Sequence, residues 1–112
     1  MLAALQAGIL AAPGSASYSA SKFGLDGLTA AMSAELSSFN ILVNSVSPGF
    51  IETDLTHRIL GKTGIEEIRK TIPIGRLGSV KEIASFISWL ASDENTYISG
   101  QNLVIDGGFT RV

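Results

Sequence analysis

The sequence predicts an α/β fold built on a parallel sheet, because helical and strand patterns alternate along the chain. Two short apolar runs that contain β-branched residues are separated by segments whose apolar residues recur at helical spacing. Prolines and glycines mark the ends of these segments. A helix, a strand, further helices and a second strand, in this order, are typical of a parallel α/β sheet. With 112 residues, the chain is expected to form at most one domain.

The first helix is predicted to begin after Pro13 and Gly14 and to end near residue 38. These two residues break an apolar segment, and Ser15 or Ser17 can then cap the helix. Its apolar positions recur at helical spacing, and they are Leu25, Leu28, Met32 and Leu36.

The middle of the chain is predicted to contain a buried strand followed by two short helices. Residues 41–46 form an apolar run that suits a strand. Pro48 and Gly49 are expected to end it, because proline cannot donate to a strand ladder. Residues 53–60 and 65–72 are predicted to form the two helices.

The last part of the chain is predicted to be a helix followed by a strand. Ser79 and Glu82 have the spacing of a capping box, in which the hydroxyl and the carboxylate each accept a hydrogen bond from a backbone amide. The helix that they open has one apolar stripe, formed by Ile83, Phe86, Ile87 and Leu90. Residues 101–105 are predicted to form the final strand, and residues 106–108 a turn rather than a metal site.

Composition excludes several classes of function. The net charge is −2 and no basic cluster is present, which argues against nucleic acid as a partner. The chain has no cysteine and one histidine, His57, so neither a thiolate nor a multi-histidine metal site is expected. The apolar residues 1–12 are shorter than the roughly 20 that span a bilayer, and they lack the basic start of a signal peptide. We therefore expect a cytoplasmic protein that is not associated with a membrane.

Tyr18 and Lys22 are the first candidates for chemistry. They are four residues apart, so a helix places both on one face, with about 5–6 Å between their Cβ atoms. A tyrosine is a poor acid–base group at neutral pH, and a neighbouring ammonium favours its phenolate form. The pair therefore suits an acid that protonates a carbonyl oxygen while a hydride reaches the carbon. Taken alone, the same spacing is also that of an exposed stacking pair.

Four segments together resemble one known family. The run PGSASYSASKFGL, from residue 13, is similar to the active-site helix of the short-chain dehydrogenase/reductase family. The run ILVNSVSPGFIETD, from residue 41, resembles that family's nicotinamide-binding segment, and the segments at 75–78 and 100–108 resemble its C-terminal part. The resemblance covers residues 8–110, and within the family it is closest to the 3-oxoacyl-acyl-carrier-protein reductases. It implies a partial Rossmann-like, doubly wound parallel sheet.

The resemblance also implies roles for individual residues. Tyr18 would donate the proton to a substrate carbonyl, and Lys22 would assist it and bind the nicotinamide ribose. Pro48 and Gly49 would face the nicotinamide ring, with Ile51 bonding its carboxamide through the backbone amide and the Thr53 hydroxyl close by. The implied cofactor is NADP or NAD, and the implied substrate is a small carbonyl or secondary alcohol, such as a 3-oxoacyl thioester in fatty acid biosynthesis. From the residues alone, a strand-ending turn at 48–49 and a helix cap at 53 remain alternatives.

Two departures from the family pattern affect the expected activity. No glycine-rich phosphate loop stands before Tyr18, so residues 1–112 are expected to be the C-terminal part of one domain whose dinucleotide-binding half is absent. The family's catalytic serine lies thirteen residues before the tyrosine, a position that Leu5 occupies here. Gly8 and Pro13 match the family at their positions and support this register. We therefore expect the isolated chain to be inactive.

The same departures predict association. Residues 1–5 look unlike the strand that they would replace, so one edge of the strand at 41–46 and the apolar face of the first helix are expected to be exposed. A homo-oligomer, or a second chain that supplies the missing half, would cover them. The competing hypotheses are a reductase, a non-catalytic oligomerisation or interaction module, and a fragment from an incomplete gene model.

Overall fold

The computed structural model describes residues 2–3 and 14–111, which form a three-stranded sheet with helices. The strands are β1 (Leu2–Ala3), β2 (Ser45–Pro48) and β3 (Asn102–Ile105). The α-helices are α1 (Ala16–Leu36), α2 (Asp54–Thr71) and α3 (Val80–Leu90). Two short 3₁₀ helices lie at Ser37–Phe39 and Phe109–Arg111. The predicted α/β class with a parallel sheet is confirmed.

The strand β2 lies in the middle of the described sheet and is parallel to both neighbours. Ser45 pairs with Leu2 of β1 on one side and with Asn102 of β3 on the other. The prediction that residues 1–5 look unlike a strand is therefore wrong for Leu2–Ala3, and the expected open edge of the middle strand is paired at Ser45 and Val46. A strand of two residues is too short to show an alternating side-chain pattern, so the sequence gives no signal for it.

The middle strand begins later than predicted and runs through Pro48. Residues 41–44 lie outside the ladder, where the buried Asn44 side chain donates to the Ile98 carbonyl (2.8 Å) and accepts from the Gln101 amide (3.1 Å). At the other end the Gly49 amide donates to the Ile105 carbonyl (2.9 Å). The ladder thus continues past Pro48 without needing its missing N–H.

The two helices predicted at 53–60 and 65–72 are the two halves of α2. The break between them is Gly61, whose φ of 63° and ψ of 179° are not helical. This region of backbone space is open essentially to glycine alone. A side chain at Gly61 would meet no atom within 4 Å, so only the backbone conformation restricts the position.

Replacing Gly61 with alanine is therefore expected to destabilise the fold by about 1–3 kcal/mol. The matched control is Gly24→Ala within α1, where an added Cβ also meets no atom within 4 Å. There alanine is expected to stabilise the helix by about 1 kcal/mol relative to glycine. Urea unfolding of the two variants measures both effects through the transition midpoint. A Gly61→Ala variant as stable as Gly24→Ala would show that the break in α2 is not fixed by backbone strain.

The capping box at the start of α3 is confirmed. The Ser79 hydroxyl accepts from the Glu82 amide (3.2 Å), and the Glu82 carboxylate accepts from the Ser79 amide (2.8 Å). Arg76 donates to both oxygens of the same carboxylate, at 2.7 and 3.0 Å. Hydrogen bonds from the Arg76 guanidinium, and then from Ser79, lower the pKa of Glu82 from 4.5 to about 2.

This carboxylate gives an expected pH dependence. Because the folded-state pKa of Glu82 lies below its ordinary value, the ionised group stabilises the fold above about pH 4.5, and this contribution is lost as the pH falls through about 2. The thermal midpoints of the wild type and Glu82→Gln should therefore differ at neutral pH and converge towards pH 2. Glu67→Gln, on the exposed surface of α2, is the control. A Glu82→Gln difference that does not change with pH would contradict the role of the charge.

Within residues 14–111, five apolar side chains are buried, and they are Val43, Val46, Ile72, Leu77 and Leu90. On α1, Leu28 is 49% exposed, and Phe23 is also exposed. Of the apolar stripe predicted for this helix, the other three residues are half-buried. Within the predicted stripe, the expected exposure is thus observed at Leu28 alone.

Candidate functional site

The helix α1 places Tyr18 and Lys22 in contact. The Lys22 ammonium lies over the Tyr18 ring, with Nζ 5.4 Å from the ring centroid. This is a cation–π geometry, in which the charge faces the π-electrons of the ring. The Tyr18 side chain is 41% exposed, so the pair is accessible to a ligand. The contact that the spacing predicts is therefore formed. An exposed stacking pair without a catalytic role would have the same geometry, so the contact does not decide between the two interpretations.

The bend at Pro48 and Gly49 lies at the carboxyl end of β2. Ligands of open α/β sheets bind outside the carboxyl ends of the strands. A Cβ on Gly49 would lie 2.7 Å from the Cα and Cβ of Asp106, closer than real atoms approach. The position therefore requires glycine because the backbone of another segment passes close to it.

Beyond the bend, Ile51 forms an isolated parallel bridge with Gly78. The Gly78 amide donates to the Phe50 carbonyl (2.9 Å), and the Glu52 amide donates to the Gly78 carbonyl (2.8 Å). The Ile51 amide takes no part in this bridge and has no hydrogen-bond partner within residues 14–111. It is a backbone donor available to a ligand.

Thr53 is the N-cap of α2. Its hydroxyl oxygen accepts from the Thr56 amide (3.2 Å) and lies 2.9 Å from the Thr56 hydroxyl, which donates to the Ile51 carbonyl (2.6 Å). The helix cap considered as an alternative is therefore present. It does not exclude a ligand role, because the start of a helix favours anions.

An apolar groove of about 490 Å³ runs between the bend and α3. Its walls include the bend and the start of α2 on one side and the first turns of α3 on the other, and its lining residues are Pro48, Gly49, Phe50, Ile51, Thr53, Leu55, Thr56, Val80, Ile83, Ala84 and Ile87. The structure thus brings together Pro48, Gly49, Ile51 and Thr53. Tyr18 and Lys22 form a separate cluster on α1 and do not line this groove.

Sequence reasoning missed the contribution of Asp106. Its carboxylate accepts from the amides of Gly108 (2.9 Å) and Thr110 (2.8 Å), and its backbone lies against Gly49. Burial alone would raise the pKa of Asp106, but hydrogen bonds from Thr110 and Gly108 and the charge of Arg111 outweigh it and lower the pKa below its ordinary value. The sequence predicts only a turn here, because nothing local indicates which distant segment packs on it.

Neither His57 nor Trp89 lines the groove. His57 is exposed on α2 and lies 3.5 Å from the Glu52 carboxylate, and Trp89 stacks on Phe86 with 6.2 Å between ring centroids. Within residues 2–3 and 14–111, no group of three or more histidine or acidic side chains is placed to hold a metal ion. Over the same part of the chain, no helix combines the length and the hydropathy that a membrane crossing requires.

Comparison with known proteins gives the family of this chain. Residues 2–110 match the family model described as enoyl-(acyl carrier protein) reductase. The 3-oxoacyl-[acyl-carrier-protein] reductase FabG of Thermotoga maritima is 46% identical over 101 residues, which are 90% of this chain and 41% of that protein. Other curated relatives, including that of Escherichia coli, have the same name.

Solved structures of a dehydrogenase and a reductase share the fold of this chain. A 4-hydroxyisoleucine dehydrogenase complexed with NADH is 40% identical, with a TM-score of 0.90 over 98% of this chain and 46% of its own. YwfH, an NADPH dependent reductase involved in bacilysin biosynthesis, is 30% identical with a TM-score of 0.91, and the match again covers 98% of this chain and 46% of that one. The chain thus spans less than half the length of these relatives.

Proposed function

The chain belongs to the short-chain dehydrogenase/reductase family. From this premise we propose that it forms part of a nicotinamide-dependent reductase of carbonyl compounds. The observation that carries the proposal is the contact of the Lys22 ammonium with the Tyr18 ring, one helical turn apart on α1. Tyr18 is exposed, so its hydroxyl can donate a proton to the oxygen of a bound carbonyl compound. We propose that residues 1–112 are the C-terminal part of a single domain.

The residues of the bend fit a nicotinamide. Gly49 lies at the carboxyl end of β2, and the Ile51 amide, which has no partner within residues 14–111, could donate to a carboxamide oxygen. Thr53 caps the positive end of α2, where a phosphate would be favoured. These features support NADP or NAD as the cofactor, and both remain open because the structures that resemble this chain include one complexed with NADH and one described as NADPH dependent.

In the proposed reaction, Tyr18 and Lys22 carry out the proton transfer. The reduced nicotinamide, when bound, supplies a hydride to the carbonyl carbon. The Tyr18 hydroxyl donates its proton to the carbonyl oxygen, and the product is a secondary alcohol. The Lys22 ammonium stabilises the phenolate that remains, and solvent returns the proton to the exposed tyrosine.

The substrate we propose is a 3-oxoacyl thioester. The support is the shared name of curated relatives that are 42–46% identical to this chain. The family model carries an enoyl reductase description, and we give more weight to the individual relatives, which share one name. A reductase of such thioesters would suit fatty acid biosynthesis, and we propose that role for it, in the cytoplasm.

We propose that the 112-residue chain is inactive by itself. These residues contain no glycine-rich phosphate loop before Tyr18, and Leu5 stands at the serine position. The exposed side chains of Phe23 and Leu28 on α1 support association with a second copy or with a chain that supplies the other half. A non-catalytic interaction module is the second candidate, and it is favoured by the separation of the Tyr18 cluster from the groove.

Cofactor oxidation in the presence of a 3-oxoacyl thioester tests the proposal. We expect little turnover by the 112-residue chain with either NADH or NADPH. We expect turnover by a chimera in which residues 14–112 replace the matching part of the Thermotoga maritima relative. Light scattering of the pure chain would report the expected oligomer. A folded chimera that binds neither cofactor would reject the reductase proposal in favour of the interaction module.

A further inference from the structure

The turn that follows β3 contacts both the bend of the candidate site and the segment that joins α2 to α3. It begins at Asp106, passes through Gly107 and Gly108, and ends in the 3₁₀ helix Phe109–Arg111. Both glycines have positive φ, 64° and 91°, a conformation that other residues rarely adopt. The turn therefore has one defined shape, and what fixes that shape affects everything packed on it.

The Asp106 carboxylate fixes the shape of the turn. One of its oxygens accepts from the Gly108 amide (2.9 Å) and the other from the Thr110 amide (2.8 Å). The Asp106 carbonyl accepts from the Phe109 amide (3.3 Å). One residue thus accepts hydrogen bonds from three consecutive backbone amides, those of residues 108–110.

One face of the turn contacts the bend. The Gly49 amide bonds to the Ile105 carbonyl, and Gly49 has no room for a Cβ against Asp106. Beside it, the rings of Phe50 and Phe109 meet edge to face, with 5.3 Å between centroids. The bend can shift only if the turn shifts with it.

The other face contacts the segment that joins α2 to α3. The Gly107 carbonyl accepts from the Ile74 amide (3.2 Å). A Cβ on Gly107 would lie 2.7 Å from Ile74 Cγ2, and one on Gly108 would lie 3.1 Å from Pro73 Cγ. The exit of α2 is therefore held against the same turn as the bend.

We propose that Asp106 is a positioning residue, which holds the bend at Pro48 and Gly49, a wall of the candidate nicotinamide site, in a fixed arrangement with the segment after α2. It acts through Gly49 and Ile74 and touches no ligand itself. The inference rests on the proposed function for the importance of the bend, whereas the mechanical link stands on the contacts alone.

Amide hydrogen exchange in the 112-residue chain tests the link in Asp106→Asn. The probes are the amides of Gly49 and Ile74, and the reference is the Ala91 amide, which bonds to the Ile87 carbonyl at the end of α3. We expect exchange at both probes to accelerate by about tenfold or more, and at Ala91 by less than about twofold, because the loosening is local. Asp106→Glu retains a carboxylate and should fall between the wild type and Asp106→Asn. Asp93→Asn, an exposed aspartate after α3, should change none of the three amides.

Affinity for reduced nicotinamide mononucleotide, measured with the same variants, links the turn to the site. We expect Asp106→Asn to weaken it by about tenfold, since a misplaced binding group loses much of its effect. Equal acceleration of all three amides would assign Asp106 to overall stability, and unchanged exchange at Gly49 would exclude it from positioning the bend. If the unsubstituted chain bound no nucleotide, the proposed function would fail, but the exchange rates would still decide whether Asp106 holds the bend.

Discussion

Replacing Tyr18 with phenylalanine in the chimera is expected to lower kcat for a 3-oxoacyl thioester by about 10²–10⁴-fold, the range that a general acid contributes. The substitution removes one hydroxyl and leaves the ring in place beneath the Lys22 ammonium. Cofactor binding should therefore change little, and the loss should appear in kcat rather than in KM. Initial rates at saturating cofactor measure this effect.

Tyr97→Phe is the matched control for this experiment. Tyr97 is 96% exposed and far along the chain from α1, so loss of its hydroxyl should leave kcat unchanged. If Tyr18→Phe retained full turnover, or lost it only in parallel with a lower thermal midpoint, the acid–base role of Tyr18 would be wrong.

Replacing Leu5 with serine is expected to raise kcat by about 10²–10³-fold in a chimera that carries residues 2–112 of this chain. Leu5 lies outside the described residues, so this expectation rests on the register of thirteen residues before Tyr18. A leucine cannot donate a hydrogen bond to the oxygen on which negative charge develops. One such donor contributes about 10²–10³-fold in other enzymes.

Leu10→Ser, in the same apolar segment, is the control and should not increase the rate. Both variants add one hydroxyl at the cost of one apolar side chain, so they differ mainly in position. A similar rate for the two variants would show that position 5 does not face the substrate, and that the missing serine does not explain low activity.

The elements that the sequence predicted well are those with local signals. For α3, the capping box at Ser79 and Glu82 and the apolar stripe both lie within a few turns of helix, and the helix begins where predicted. The break in α2 at Gly61 likewise follows from the properties of one residue. Side-chain chemistry close in sequence decides such features, so they can be read before the fold is known.

The elements that the sequence missed depend on distant partners. The strand β1 has two residues and is defined by its pairing with Ser45 and Val46. The strand β2 extends through Pro48 because Ile105, on another strand, determines where the ladder bonds fall. The contact of Asp106 with Gly49 has the same origin, because a turn signal says nothing about what packs on the turn.

The candidate site was predicted in part. The contact between Tyr18 and Lys22 follows from helical spacing, and the closeness of Pro48, Gly49, Ile51 and Thr53 follows from their adjacency in sequence. The catalytic and cofactor-binding roles of these residues remain predictions. The position of α1 relative to the groove could not be read from the sequence, because it depends on how the sheet and helices pack.

The most direct test of the central claim is an NMR titration of the chain with reduced nicotinamide mononucleotide, which carries the ring, one ribose and one phosphate. The account predicts shifts of the Gly49 and Ile51 amides and of the Tyr18 ring and Lys22 side-chain signals, with a single affinity. The Tyr97 ring serves as the unaffected reference. Shifts at the bend without any at Tyr18 and Lys22, or no shifts at either cluster, would contradict the claim that the two clusters form one site.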